Sequence, residues 1–267
     1  MNPTLPPGGR RIASVFADGR KGLIGYLMAG DPDFDTSLAI LREAIAAGLD
    51  ILELGVPFSD PTSDGPVIEA AAGRALKSGM SVSRVLELVR RIREHSQIPV
   101  ILFSYCNPLL QYGPERLARQ CRDLAIDGLL IVDMPPEESA DFMAPFAGTD
   151  IAMIRLLAPT TVPDRVGGIV SSASGFLYLI TRTGVTGGGK PDLEAIRTQV
   201  EAARQRTSLP ICLGFGIGSA ADVRLLAPLA DGLIVGSALV RLVPEGDGAP
   251  ARIAAKVREL KQAFPHG

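Results

Sequence analysis

The sequence predicts an α/β fold in which eight parallel strands, each followed by a helix, close into one (β/α)8 TIM barrel. Short, almost continuous apolar runs alternate with amphipathic stretches, and no break in composition marks a linker. Strands that read as continuous apolar runs are typical of a parallel sheet covered by helices on its outer face. An open, doubly wound sheet is the alternative, but it would rarely need eight consecutive units of such even size. We therefore expect residues 1–267 to form a single barrel domain.

Each predicted strand is a short apolar run that is followed by a loop and then by helical periodicity. The strands are predicted at residues 23–29, 51–56, 100–104, 128–132, 151–157, 176–180, 211–213 and 233–235. The main helices are predicted over residues 36–47, 82–92, 137–146 and 251–263, and from residues 114, 162, 193 and 219 onward. Pro114 suits a first helical position, and Ser219 suits an N-cap. We also expect a short extra helix after strand two, at residues 67–76, and another after strand eight, from Ser237.

The composition excludes several classes of protein. The 267 residues carry a net charge of −2 with interspersed signs, so neither nucleic acid nor an anionic membrane surface is indicated as a partner. No stretch approaches the roughly 18 uninterrupted apolar residues of a membrane-spanning helix, and the first eleven residues lack the apolar core of a signal peptide. Three distant cysteines and two histidines provide no disulfide framework, no metal site and no histidine-based triad. We therefore expect a cytoplasmic protein without a metal.

A carboxylate lies in the middle of the second predicted strand. Leu52 and Leu54 flank Glu53, and because side chains alternate along a strand, Glu53 faces the interior if the two leucines face the helices. A buried carboxyl tends to be neutralised, and a carboxyl that changes protonation state is what acid–base catalysis needs. The ordinary alternative is an ion pair in the barrel interior.

Two aspartates follow in the loop after this strand. Asp60 precedes a proline, and Asp64 precedes a glycine and a second proline. Both patterns are ordinary turn signals, so local sequence alone favours a structural role for either aspartate.

Glycines follow the last two strands. Residues 214–219 are glycine-rich, and Gly236 and Ser237 open the short extra helix after strand eight. Loops in this order form the common phosphate site of the barrel class, because glycine lets backbone N–H groups approach an anion. The loop after strand six, residues 181–192, contains four glycines and predicts a lid, although an irregular connection is the alternative. The residues therefore predict carboxylate acid–base chemistry on a phosphorylated small molecule. A Schiff base is not expected, because no predicted strand contains lysine.

Together these stretches resemble one family, the alpha subunit of tryptophan synthase. The resemblance lies in residues 52–61 with 64–66, in residues 30–32, in residues 183–187, and in residues 214–217 with 236–237. It implies retro-aldol cleavage of indole-3-glycerol phosphate to indole and glyceraldehyde 3-phosphate, with no cofactor in this chain. It also implies a partner, the pyridoxal-phosphate-dependent beta subunit, in an alpha2-beta2 heterotetramer that passes the indole onward to tryptophan.

The resemblance also implies roles for particular residues. Glu53 matches the catalytic glutamate and Asp64 the catalytic aspartate, which accepts the indole N–H. The substrate pocket is expected to include Tyr26, Phe103, Tyr105, Leu130, Val132, Leu156, Tyr178, Thr186 and Phe215, with Thr186 on the lid. The phosphate contacts are expected at Gly187, Gly216, Gly236 and Ser237, and the partner interface at Pro57, Asp60 and Asn107. For each apolar pocket residue, plain barrel core is the alternative.

The chain departs from the usual family pattern at several positions. Gly25 replaces a frequent proline, Tyr26 a usual phenylalanine, and Gln111 a frequent asparagine, and residues 187–189 form a run of three glycines. Three other functions compete with the leading one. They are a stand-alone lyase that releases free indole, a non-catalytic barrel kept as a binding partner, and a different phosphate-handling enzyme such as an isomerase. An intact pair of Glu53 and Asp64 argues against the last two, since a binding module needs no buried carboxylate and an isomerase can use a single base.

Overall fold

The computed structural model describes residues 9–181, 192–214, 216–244 and 248–265. Its strands are β1 (Gly22–Met28), β2 (Ile51–Gly55), β3 (Val100–Ser104), β4 (Gly128–Ile131), β5 (Ala152–Met153), β6 (Arg155–Leu157), β7 (Leu177–Ile180), β8 (Ile211–Gly214) and β9 (Gly232–Val235). They form one sheet in the order β5-β4-β3-β2-β1-β9-β8-β7-β6, and all neighbouring strands pair in parallel. The predicted barrel is confirmed, and each strand begins within one residue of its expected position.

The fifth predicted strand is divided. Within the run 151–157, β5 pairs with β4 and β6 pairs with β7, so the chain itself closes the ring at Ile154. The Ile154 N–H donates to the Leu129 carbonyl oxygen at 2.9 Å. Beyond this point the Arg155 side chain connects β6 to the segment that follows β4. The buried Arg155 guanidinium donates to the Met134 carbonyl oxygen at 2.9 Å and to Ser139 Oγ at 2.7 Å.

Twelve α-helices are found in the described part of the chain. They are α1 (Arg10–Val15), α2 (Phe34–Ala46), α3 (Pro66–Lys77), α4 (Val82–Arg93), α5 (Cys106–Tyr112), α6 (Pro114–Asp123), α7 (Ala140–Met143), α8 (Pro163–Ser171), α9 (Leu193–Arg204), α10 (Ala220–Leu226), α11 (Ser237–Val240) and α12 (Ala249–Gln262). Side-chain caps begin four of them, at Asp33, Ser81, Asp192 and Ser219. The predicted N-cap is confirmed, because Ser219 and Asp222 form a reciprocal capping box at α10. The extra helices after strands two and eight are α3 and α11.

Three helical features differ from the prediction. The expected helix over residues 137–146 is wrong, since α7 has four residues and lies between two short 3-10 turns, 136–138 and 144–146. Pro145 explains the interruption, because proline removes a helical hydrogen bond and its ring clashes with the preceding turn. The short helices α1 and α5 were not expected. Ile12 of α1 is fully buried and belongs to the cluster inside the barrel.

Apolar side chains fill both sides of the sheet. One buried cluster lies inside the barrel and includes Ile24, Ile51, Ile101, Phe176 and Ile234, while a larger one lies between the strands and the helices. Within the described residues, no helix is long and apolar enough to cross a membrane. The barrel therefore holds a closed core, and polar side chains inside it require a specific explanation.

Candidate active site at the carboxyl ends of the strands

Glu53 lies inside the barrel, as predicted. Ile51 belongs to the interior cluster, whereas Leu52 and Leu54 belong to the outer one, so Glu53 shares the interior face with Ile51. Its side chain has no exposed surface, and neither carboxyl oxygen has a hydrogen-bond partner among the described residues. The alternative of an interior ion pair is therefore not observed there. Burial raises the pKa of Glu53 to about 8, so the carboxyl is largely protonated at neutral pH.

Two tyrosines extend into the layer above Glu53. A Cβ atom added to Gly55 would lie 2.3 Å from Tyr26 Oη, and one added to Gly214 would lie 2.2 Å from Tyr178 Oη. Each tyrosine thus occupies space that a side chain on the neighbouring strand would need, and glycine is required at both positions. Burial, with a smaller contribution from Glu53, raises the pKa of both phenols well above the usual value. Both hydroxyl groups therefore keep their protons.

Asp64 lies in the loop between β2 and α3, residues 56–65, which we call the acidic loop. Burial raises its pKa to about 6, against the lowering effect of a hydrogen bond from Tyr105. Tyr105 is buried, its hydroxyl accepts a 2.9 Å hydrogen bond from the Ser63 N–H, and its ring lies 5.4 Å from the Phe58 ring. Tyr105 therefore connects β3 to the acidic loop. At neutral pH the site combines a largely ionised Asp64 with a largely protonated Glu53.

The structure brings most of the predicted pocket residues together. The partly exposed side chains that pack against the interior cluster include Phe103, Val132, Leu156 and Tyr178. The Phe103 ring meets the Tyr26 ring edge-on, with 5.1 Å between centroids. Leu130 has no exposed surface and belongs to the closed core. Thr186, Phe215 and residues 182–191 of the lid predicted at 181–192 lie outside the described residues.

The loops after β8 and β9 lie side by side. A Cβ atom added to Gly218 would lie 3.2 Å from Ala238 Cβ, which places the first loop against α11. Gly216 is exposed and has a φ of +79°, a conformation that favours glycine. Gly236 immediately precedes α11, and Ser237 begins it. Three of the four predicted phosphate contacts therefore lie in adjoining loops, whereas Gly187 lies outside the described residues.

An ion pair that sequence reasoning missed supports the acidic loop. Asp31, which follows β1 and is buried, accepts two hydrogen bonds from the Arg74 guanidinium at 2.7 and 2.8 Å. Arg74 lies on α3, so this pair attaches the helix after the acidic loop to the end of β1. Burial raises the pKa of Asp31, although Arg74 opposes the rise. The two residues are 43 positions apart, and no local pattern predicts their contact.

The predicted partner residues lie in the segments that follow β2 and β3. Pro57 is buried, whereas Asp60 and Asn107 are exposed. The Asn107 side chain accepts a 3.3 Å hydrogen bond from Gln111 Nε2 on the same helix. Across the described ranges, no group of three histidine, cysteine or carboxylate side chains could hold a metal ion.

Comparisons with known proteins agree on one family. The family model described as tryptophan synthase alpha chain matches residues 12–266. The tryptophan synthase alpha chain of Desulfosudis oleivorans is 48% identical over 260 residues, which cover 95% of this chain and 98% of that protein. The Burkholderia thailandensis alpha chain is 44% identical over 250 residues, 93% of this chain and 92% of that protein.

Solved structures give the same result. A structure of Mycobacterium tuberculosis tryptophan synthase has a TM-score of 0.88 and 34% identity, and the match covers 97% of this chain and 100% of that chain. A structure of tryptophan synthase subunit alpha from Legionella pneumophila has a TM-score of 0.86 and 33% identity, covering 96% and 97% respectively.

Proposed function

The chain belongs to the tryptophan synthase alpha chain family, and from that premise we propose that it is a carbon–carbon lyase. Its substrate is indole-3-glycerol phosphate, which it cleaves to indole and glyceraldehyde 3-phosphate. One observation carries the proposal: two carboxyl groups at the same end of the barrel prefer opposite protonation states. The pKa of Glu53 is about 8, and that of Asp64 is about 6. Groups whose environments separate their pKa values are suited to act as acid and base at the same pH.

Glu53 performs both proton transfers. Its protonated carboxyl donates a proton to the ring carbon that carries the glycerol chain, which leaves positive charge at the ring nitrogen and a carboxylate at Glu53. The carboxylate then accepts the proton of the chain hydroxyl next to the ring while the carbon–carbon bond breaks. The bonding electrons return to the indole ring, the oxidised carbon becomes an aldehyde, and Glu53 is protonated again. The apolar surroundings keep competing water away from the carboxyl.

Asp64 stabilises the charge that develops on the ring. As a carboxylate it accepts a hydrogen bond from the indole N–H, and this interaction strengthens when the nitrogen becomes positive. Tyr105 holds the aspartate in place through its hydroxyl. Gly216, Gly236 and Ser237 supply backbone N–H groups for the substrate phosphate, and Gly187 adds a contact from the lid. Phe103, Val132, Leu156 and Tyr178 surround the indole ring.

The chain acts together with a beta subunit in this proposal. Pro57, Asp60 and Asn107 contact the partner, two copies of each subunit form a heterotetramer, and pyridoxal phosphate belongs to the beta subunit alone. Family membership does not favour the stand-alone lyase. The cytoplasmic location remains part of the prediction.

Indole release from indole-3-glycerol phosphate tests the proposal. The purified chain is assayed with and without the beta subunit of the same organism, with Glu53→Gln as the matched inactive control. We expect weak activity that rises sharply when the beta subunit is added. A high rate of indole release that does not change when the beta subunit is added would support the stand-alone lyase. No indole under either condition would overturn the proposed reaction.

A further inference from the structure

Asp64 is held in place from two sides. On one side, the Tyr105 hydroxyl accepts a 2.9 Å hydrogen bond from the Ser63 N–H and forms a hydrogen bond with the Asp64 carboxyl. On the other side, the chain passes directly into α3, because Gly65 is the N-cap of this helix and Pro66 begins it. The Gly65 carbonyl oxygen accepts hydrogen bonds from two N–H groups of the first turn, both at 3.0 Å. The position of α3 therefore fixes the position of the Asp64 backbone.

The buried face of α3 consists of small side chains. Its buried residues are three alanines, Ala71, Ala72 and Ala75. Val67 and Ile68, in the first turn, pack against the core but are only partly buried. Alanine presents a single methyl group, so this face lacks the large side chains that interlock with a neighbouring surface. A helix packed in this way needs a directional contact to fix its rotation and its position along its axis.

The ion pair between Arg74 and Asp31 provides that directional contact. The guanidinium Nε and Nη2 atoms donate to the two carboxylate oxygens at 2.7 and 2.8 Å. A bidentate pair of this kind fixes orientation as well as distance. Asp31 is only 2% exposed, and it follows β1, so its carboxylate is a firm anchor on the barrel. Ser78, the C-cap of α3, adds a longer hydrogen bond of 3.3 Å to the Gly30 carbonyl oxygen.

Arg74 lies far along the helix from the proposed reaction. A rise of about 1.5 Å per residue places it about 12 Å along the axis from Pro66. Because α3 is continuous, a change in how Arg74 is held moves the first turn and the residue before it. We infer that Arg74 is a positioning residue, which through its ion pair with Asp31 holds α3 where Asp64 meets the indole N–H of the substrate. This inference rests on the proposed function.

A double-mutant cycle tests whether Arg74 acts through Asp64. Arg74→Lys keeps the charge but loses the planar fork. We expect kcat for indole release by the alpha–beta complex to fall about tenfold or more, because a small displacement of a catalytic group is costly. In a chain that already carries Asp64→Asn, the same replacement should change kcat by less than about twofold, since the carboxylate that it positions is gone. Equal losses in the two backgrounds, measured by single-turnover kinetics, would overturn the inference.

Arg93→Lys is the matched control. Arg93 also binds a buried aspartate, since its Nη2 lies 3.0 Å from Asp127 Oδ2, but Asp127 precedes β4 and so lies at the opposite end of the barrel. We expect this variant to lose stability as well, yet to keep kcat within about twofold of the natural value. Rates are compared at a temperature at which every variant is folded, as judged by its unfolding transition. Equal losses of kcat in Arg93→Lys and Arg74→Lys would overturn the inference, because general destabilisation would then explain both.

A measurement without turnover separates this inference from the proposed reaction. Burial raises the pKa of Asp64 from its ordinary value of 3.8 to about 6. Carbon-13 NMR of the aspartate carboxyl groups, assigned with Asp64→Asn, measures that pKa directly. We expect Arg74→Lys to lower the pKa of Asp64 toward 3.8, because a displaced loop admits water to the carboxyl, and Arg93→Lys to leave it unchanged.

The outcomes of the NMR titration are distinct. An unchanged pKa of Asp64 in Arg74→Lys would overturn the inference. If the pKa of Asp64 falls in Arg74→Lys while the natural chain releases no indole, the positioning contact stands and the proposed reaction fails.

Discussion

The Arg155 guanidinium lies 2.9 Å from the carbonyl oxygen of Met134, and it joins two barrel strands where their backbone pairing ends. A second hydrogen bond goes to Ser139 Oγ at 2.7 Å, and burial lowers the pKa of Arg155 against the raising effect of Glu137. Val132, which follows β4, and Leu156 on β6 are two proposed pocket residues, and they lie on either side of this connection. A buried cation therefore connects two segments that carry residues of the proposed pocket.

Replacing this arginine should weaken the barrel. Arg155→Lys keeps the charge, but an ammonium group cannot reproduce the planar fork that reaches both acceptors. We expect the free energy of unfolding to fall by about 1 to 3 kcal/mol, because a buried acceptor loses its donor. Urea unfolding measures the change. The control is Arg165→Lys, whose guanidinium pairs with Glu137 on the surface and should have little effect. Equal losses in both variants would contradict a specific role for Arg155.

Glu53→Gln removes the proposed proton donor with almost no change of shape. We expect the rate of indole release to fall by about 10² to 10⁴, the usual contribution of a general acid–base group. Glycerol 3-phosphate affinity should stay within about twofold, because the amide changes no phosphate contact. Single-turnover kinetics and calorimetry measure the two quantities. More than a tenth of the original rate in Glu53→Gln would exclude the proposed role.

The rate should depend on pH at both ends of the neutral range. Asp64 must be ionised, so kcat/KM is expected to fall below a pH of about 6, where its carboxyl gains a proton. Glu53 must begin protonated, so kcat/KM should also fall above a pH of about 8. Asp64→Asn should remove the acidic limb of the profile at a lower overall rate. A profile that is flat between pH 5 and 9, within about twofold, would contradict these assignments.

Stability should depend on pH through the same glutamate. Its pKa is raised from 4.5 to about 8 in the folded chain, so between these values the folded state holds a proton that the unfolded state has lost. Stability is therefore highest at low pH with respect to this group and decreases as the pH rises through this window. Relative to Glu53→Gln, the natural chain should lose up to about 1.4 kcal/mol per pH unit there. Denaturant unfolding of both proteins at several pH values gives the difference, and parallel curves would disprove this account.

Gly216→Val tests the phosphate loops. The backbone at Gly216 has a φ of +79°, which a β-branched residue adopts only with strain, and its side chain would obstruct the approach of an anion. We expect KM for indole-3-glycerol phosphate to rise by about tenfold or more, with a smaller effect on kcat. Gly148→Val is the matched control, because Gly148 has a φ of +74°, no atom lies within 4 Å of its added Cβ, and it precedes β5 rather than following a strand. An unchanged KM in Gly216→Val would move the phosphate site elsewhere.

The sequence predicted the barrel because parallel strands are short and apolar. The predicted bounds of β3 agree with the structure at both ends, since Pro99 precedes the apolar run and α5 begins two residues after it. It also predicted the interior position of Glu53, because side chains alternate along a strand and Leu52 and Leu54 face the helices. The division of the fifth strand was not predictable, since it depends on how the closed ring shares one short strand between two neighbours.

Contacts between distant residues account for the rest of what was missed. Asp31 meets Arg74 across 43 positions, and Arg155 meets Met134 across 21, so neither pair leaves a local pattern. The fold of α1 depends on Ile12 filling the end of the barrel, which six residues cannot indicate alone. The placement of the Tyr26 hydroxyl in the space of Gly55 likewise requires the register of two strands.

The unpartnered carboxyl of Glu53 limits how stable this protein can become while it remains an enzyme. An apolar residue of similar size at position 53 would remove the cost of burying a group whose hydrogen bonds are unmet, and selection for thermal robustness alone would favour that replacement. The proposed reaction requires a carboxyl group at this position. Engineering that ranks variants by melting temperature would therefore tend to remove the proposed catalytic acid first, and screens on this barrel should retain Glu53 as a fixed position.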